Sequence, residues 1–209
     1  MTNLKNEQEK FWAGKFGDEY ISRNKSDVLY ASNLNLFSKI MMCTRDIASI
    51  AEFGCNIGMN LRAIRALSPK VELHGYEINK SALAYLADTQ PGVITHHQSI
   101  LEKIDLEVDL TFTKGVLIHI QPDKLPIVYE NLYRNARRYI LVAEYYDPNP
   151  VSLTYRGHEN KMFKRDFAGE LLDTYSDLKL LDYGFCYHRD ANFPQDDVNW
   201  FLIEKKNPK

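Results

Sequence analysis

The stretch Ala51-Glu52-Phe53-Gly54-Cys55-Asn56-Ile57-Gly58-Met59-Asn60 constrains the fold more than any other part of the chain. The run into it, Ile47-Ala48-Ser49-Ile50-Ala51, is short, apolar and partly β-branched, as a buried strand is. Beyond it, Leu61, Ile64 and Leu67 recur at helical spacing with Arg62 and Arg65 between them. Two glycines therefore sit on a strand-to-helix turn. A second strand, Val71 to Tyr76, runs into Glu77. A carboxylate there, at the end of the strand after the glycine turn, is placed to accept the hydroxyls of a ribose lying across the strand ends. The stretch predicts an adenosine cofactor.

Spacing decides which one. A dinucleotide site wants G-x-G-x-x-G, its middle glycine letting backbone approach a pyrophosphate. Here Asn56 stands in the middle and Met59 in the third place, with Gly58 one residue early. Asn tolerates left-handed backbone angles, but its side chain would crowd a pyrophosphate. S-adenosylmethionine has none. Its methionine tail carries an ammonium and a carboxylate, which suit loop carbonyls and loop N–H groups.

Glu52-x-Gly54-x-Asn56-x-Gly58 with Glu77 resembles motifs I and II of the class I S-adenosylmethionine-dependent methyltransferases. More narrowly, the chain resembles the pseudaminic acid biosynthesis-associated methylases. The blocks that carry this likeness are Phe11-Trp12-Ala13-Gly14, Tyr20 through Arg23-Asn24, Ser32-Asn33-Leu34, the glycine loop, Tyr155-Arg156-Gly157-His158, Phe163 through Glu170, and Asp182-Tyr183-Gly184-Phe185. They span the chain nearly end to end.

At 209 residues the sequence suits one α/β domain, with residues 1–46 as an N-terminal helical cover and 47–209 as a Rossmann-like core. A net charge of −2 gives no electrostatic reason to expect nucleic acid or an anionic membrane as partner. No apolar run approaches the ~20 residues of a membrane span. The polar start, Met1 to Lys10, lacks the apolar core of a signal peptide, so a cytoplasmic protein is expected. The three cysteines make neither a disulfide framework nor a zinc pattern, and Cys55 reads as a small buried filler. Adjacent His96 and His97 point to opposite faces of a strand, so no metal site is expected. Oligomeric state is left open.

Taken in order, Phe11, Trp12, Phe16 and Tyr20 are too apolar for a loose tail. Leu34, Phe37, Ile40 and Met41 mark a helix that Ser32 or Asn33 can cap. Strands then alternate with helices: a helix from about Gly58 to Leu67, a strand to Glu77, a helix capped by Asn79, strands Val93–His97 and Val108–Thr113, a helix from near Pro122, and strand Tyr139–Ala143. This pattern predicts a parallel sheet. A loop is expected from Tyr145 to about Phe163, then a helix over Arg165 to Tyr175. Two last runs, Leu178–Tyr187 and Asn199–Glu204, should pair antiparallel. The expected fold is a mostly parallel seven-stranded sheet closed by an antiparallel C-terminal hairpin, the arrangement that the methyltransferase resemblance implies.

Gly54 and Gly58 shape the cofactor turn. Glu52 orients the loop or meets the methionine ammonium; pairing with a lysine is the structural alternative. Ile78 follows Glu77 into the same site. Ser99 and Ile100 fall where the superfamily contacts adenine, often with an acidic residue that is absent here. Lys114-Gly115-Val116-Leu117-Ile118-His119 resembles motif IV, in which Gly115 lets the backbone approach the sulfonium. His119 is the best general base, since a free histidine is mostly neutral at pH 7, although a lone histidine more often serves a structural hydrogen bond. Lys114 can pair with Glu52 or touch the cofactor. At the end of strand five, Glu144, Tyr145 and Tyr146 can meet the acceptor, with Glu144 a second candidate base. Arg156, His158, Lys161, Lys164 and Arg165 form a basic cluster able to clamp a carboxylate or phosphate. Tyr20, Arg23 and Asn24 either line a lid over the methionine tail or belong to a helix pair packed on the sheet edge.

The sequence is thus expected to transfer a methyl group from S-adenosylmethionine to a small hydroxylated or amino acceptor, such as a nonulosonic sugar or its nucleotide-linked form. The rivals are an NAD(P)-dependent oxidoreductase and a cofactor-binding module without catalysis.

Overall fold

A computed structural model describes residues 6–21 and 26–206, without the side chains of residues 158–160. Its centre is a seven-stranded sheet in the order β3-β2-β1-β4-β5-β9-β8. The strands are β1 (Ser49–Phe53), β2 (Glu72–Glu77), β3 (Val93–His97), β4 (Val108–Lys114), β5 (Ala136–Glu144), β8 (Leu178–Cys186) and β9 (Val198–Lys205). The first five are parallel, and β9 pairs antiparallel with both β5 and β8, as expected.

Alternation along each strand feeds two cores. Ala51, Phe53, Ile140 and Val142 face one side, where α6 (Leu125–Asn135) and α7 (Phe167–Thr174) bury Val128, Leu132, Phe167 and Leu171. Ile50, Leu73, Phe112 and Leu141 face the other, against α3 (Asp27–Met42), α4 (Met59–Leu67) and α5 (Lys80–Thr89). The strand order reverses between β1 and β4, and at that switch point the carboxyl ends open a crevice.

Two local expectations need correction. Helix α3 begins about two turns earlier than its apolar spacing suggests: Ser26 is the cap, accepting from the Leu29 N–H (3.2 Å), while Ser32 and Asn33 are buried within the helix. The expected loop after β5 contains a second, two-stranded sheet, β6 (Val151–Tyr155) with β7 (His158–Lys164). Its tight turn takes Arg156 and Gly157 through left-handed angles, φ 49° and 83°.

The N-terminal segment divides the two alternatives between its helices. Helix α3 packs on the sheet against α4. Helices α1 (Glu7–Ala13) and α2 (Lys15–Ile21) lie over the crevice, held by Asn79, whose Nδ2 donates to the Trp12 carbonyl (3.2 Å) and to Asp18 (3.0 Å).

Candidate active site

The crevice under α1 and α2 is a cavity of ≈ 540 Å³, within the usual range for a small-molecule site. The turn after β1 forms its floor. Gly54, Asn56 and Gly58 have φ of 84°, 47° and 74°. A Cβ at Gly54 would meet Val116 at 2.7 Å, and one at Gly58 would collide with Leu86, so both places need glycine. Asn56 adopts the left-handed conformation that asparagine tolerates, steadied by the Ile57 N–H donating to its Oδ1 (2.8 Å). Cys55 is buried beside this turn, and burial pushes its thiol well up, which fits a filler.

Glu77 is buried at the end of β2 and lines the cavity. Its Oε1 accepts from the Ile78 and Asn79 N–H groups (2.8 Å each) and its Oε2 from Asn56 (2.8 Å). A carboxylate has about four lone-pair sites, so the free one is on Oε2. Burial raises its pKa against those three bonds. Glu52, at the end of β1, accepts from Asn60 Nδ2 at Oε1 (2.6 Å). Its Oε2 and the Asn60 Oδ1 are buried without a partner. Burial pushes Glu52 up to about 8. Lys114 lines the same cavity and its charge acts on Glu52, but the two make no direct ion pair; burial lowers the lysine. This end of the cavity offers uncommitted acceptors to a ligand cation.

Ile100 and Ile78 line the wall, and a Cβ at Gly115 (φ 67°) would meet nothing within 4 Å, so that backbone faces open space. Ser99 also lines the cavity. Its hydroxyl donates to Glu9 of α1 and accepts from the Leu101 N–H (3.0 Å), tying the cover to the loop after β3. Glu9 also lines the cavity.

His119 ends a 3-10 turn, Leu117–His119. Its Nδ1–H donates to the Lys161 carbonyl (2.7 Å), leaving Nε2 as the acceptor of a neutral ring. The ring lies between Trp12 (centroids 4.6 Å apart) and Tyr155 (4.9 Å), and burial drives its pKa down to about 4. Glu144 does not share this cavity. Its carboxylate accepts from the N–H groups of Val116, Leu117 and Ile118 (3.1, 3.1 and 3.4 Å), and burial raises it to about 7. It holds the turn that carries His119 and does not face an acceptor.

The cavity continues into a mouth lined by Tyr20, Tyr145, Tyr155, Arg156 and Lys164. Tyr146 lies outside, 37% exposed beside Phe201. The basic cluster is divided. Arg165 pairs with Glu170 (2.7 Å) and Lys161 covers Phe11, while Arg156 and Lys164 remain at the mouth. The His158 side chain, with Arg23 and Asn24, lies outside the described residues. Trp12, Glu9, Asn60 and Asp196 also line the cavity, and sequence reasoning assigned them no role there. Trp12 carried the only available signal, as part of an aromatic run at helical spacing. Among the described residues no group of three or more acidic, histidine or cysteine side chains is placed to hold a metal, and no helix is long and apolar enough to cross a membrane. His96 meets His74 (3.1 Å) while His97 donates to the Ile78 carbonyl (3.1 Å).

Sheet order, closing hairpin and crevice together define a Rossmann-like methyltransferase fold. No family model and no curated protein matches the sequence. Among solved structures, the chain is similar to a 1,6-didemethyltoxoflavin N1-methyltransferase of Burkholderia thailandensis, bound to 1,6-didemethyltoxoflavin and S-adenosylhomocysteine (12% identity over 95% of this chain and 87% of that one, TM-score 0.70). It is similar also to the magnesium protoporphyrin IX methyltransferase of Synechocystis with bound S-adenosylmethionine (11%, 98% and 100%, TM-score 0.69). A third is an S-adenosylmethionine-dependent methyltransferase of Clostridium acetobutylicum (13%, 92% and 98%, TM-score 0.64). At these identities the likeness is one of fold.

Proposed function

We propose that this chain is an S-adenosylmethionine-dependent methyltransferase acting on a small, polar, anionic acceptor. The observation that carries the reading is the pair of buried, unpartnered acceptors, Glu52 Oε2 and Asn60 Oδ1, beside the glycine turn. Such atoms are costly unless a ligand satisfies them, and an ammonium group does so. Glu77 would hold a ribose hydroxyl at Oε2, Ile78 and Ile100 would cover the adenine, and the Gly115 backbone would flank the reacting centre. Bound there, S-adenosylmethionine supplies an electrophilic methyl group.

This chain's residues contribute alignment and exclusion of water. Trp12 and Tyr155 fix the His119 ring, and the Lys161 carbonyl fixes its tautomer, so Nε2 can take a proton from an acceptor hydroxyl. Tyr145, Arg156 and Lys164 bind the acceptor at the mouth. A nonulosonic sugar or its nucleotide-linked form is the acceptor we propose. Support for it comes from the family resemblance of the sequence blocks and from the two cations.

Calorimetric titration with S-adenosylmethionine, S-adenosylhomocysteine and NAD tests the reading. Micromolar binding of the sulfur compounds alone, lost in Glu77→Ala, is expected. Binding of NAD alone would make the chain an oxidoreductase. Tight cofactor binding with no methylation across a panel of sugars and amines would favour a binding module.

A further inference from the structure

The loop between β8 and β9 reaches the cavity through His188, Pro194, Gln195 and Asp196. Gln195 is buried, and its Nε2 donates to the Ser32 carbonyl of α3 (3.0 Å). Asp197 sits at φ 55° and accepts from the His188 N–H (2.9 Å) and ring (2.8 Å). Between these two anchored residues, Asp196 makes no hydrogen bond or ion pair among the described residues, yet it lines both the inner cavity and the mouth. On the β6–β7 hairpin, Arg156 and Lys164 share that mouth, each over a tyrosine ring (5.6 Å to Tyr155, 5.4 Å to Tyr145). Neither is in an ion pair among the described residues. Arg156 and Lys164 therefore border one small space with two carboxylates, Asp197 engaged by His188 and Asp196 in no ion pair.

We propose that Asp196 is an acceptor-binding carboxylate: it accepts a hydrogen bond from a hydroxyl or amine of an acceptor whose carboxylate or phosphate lies on Arg156 and Lys164. The inference rests on the methyl-transfer reading and narrows it to acceptors that carry both groups. A neutral acceptor leaves Arg156 and Lys164 with the field of Asp196 and Asp197 but no direct ionic partner. An anion without a neighbouring donor meets Asp196 as a like charge, which opposes binding. Charge-assisted hydrogen bonds on both sides of the space satisfy all three side chains.

The test is calorimetric titration of the protein loaded with S-adenosylhomocysteine. N-acetylneuraminic acid carries a carboxylate and hydroxyls, and its methyl ester keeps the hydroxyls alone. Glucosamine 6-phosphate carries a phosphate and an amine, and cyclohexanecarboxylate is an anion alone. One or both of the two-group probes is expected to bind, and which one tells hydroxyl from amine. The single-group probes should bind at least about tenfold more weakly, and Asp196→Asn should weaken the two-group probe about 10- to 100-fold. Asp196→Glu should recover part of that loss, and in both variants the loss for the two-group probe should exceed any change in affinity for S-adenosylhomocysteine. Equal binding of the single-group probes, an unaffected Asp196→Asn, or no binding of any probe to the loaded protein would overturn the proposal. Failure to bind S-adenosylhomocysteine at all would remove the methyl-transfer reading and this inference with it.

Discussion

The Asn56 N–H donates to Glu77 Oε2 at 2.8 Å, so the turn after β1 is clasped directly to the end of β2. Two strands that are neighbours in the sheet thereby share one carboxylate at the point where the crevice opens. The same side chain fixes the start of the following loop through Ile78 and Asn79.

Replacing Glu77 therefore has two expected effects. Glu77→Ala should lose at least about tenfold in affinity for S-adenosylhomocysteine and should also lower the melting temperature, because three backbone N–H groups are left unpaired. Glu77→Gln keeps an acceptor oxygen and should melt closer to wild type while binding cofactor weakly. Calorimetry and thermal melts on the same samples separate the two effects.

Glu52 predicts a pH dependence. Its folded pKa, about 8, lies above that of an unfolded carboxylate, so the native state binds the extra proton. Its contribution to stability is present at acid pH and is lost as pH rises toward about 8. Glu52→Gln should remove this slope, and the gap in melting temperature between variant and wild type should widen from pH 5 to pH 8. An ammonium ligand favours the ionised form. Cofactor binding near pH 7 should then release protons, seen as a heat that varies with buffer ionisation enthalpy and is reduced in the variant.

His119 should be neutral throughout the working range. With its pKa near 4, the rate of methyl transfer should show no histidine inflection between pH 5.5 and 7.5. His119→Ala should lower the rate by about 10² to 10⁴ for a hydroxyl acceptor and leave cofactor affinity within a few fold. An unchanged rate would identify an acceptor that needs no base.

Ser99→Ala cuts a link between the cover and the sheet. A hydrogen bond to a charged group contributes about 1.5–3 kcal/mol, and local opening of α1 should become about 10- to 100-fold more frequent. Amide exchange in Glu7–Ala13 reports this directly. Exchange in the central strands β1 and β4 should change little, since those bonds open only globally.

What the sequence revealed was what local patterns encode. The β1 turn, the Asn79 cap and the closing hairpin are short-range features, and each lies where its spacing put it. The β6–β7 hairpin escaped because Val151 to Thr154 is exposed and shows no buried alternation. The Arg156-Gly157 turn was its one visible sign. Glu144 stands at the strand end where acceptor-facing groups occur, but its direction is set by three N–H groups of a turn some 26 to 28 residues away. Glu9 and Asp196 reach the cavity from opposite ends of the chain, and no pattern within either segment points there.

The cover also fixes an order of events. Its contacts join Glu9 to Ser99 across 90 residues and Trp12 to Asn79 across 67. The cover precedes β2 and β3 in the chain and thus waits for partners that do not exist until those strands have formed. Closing so long a loop is entropically costly before the sheet is in place. The ligand chamber is therefore roofed only after the rest of the crevice has been assembled.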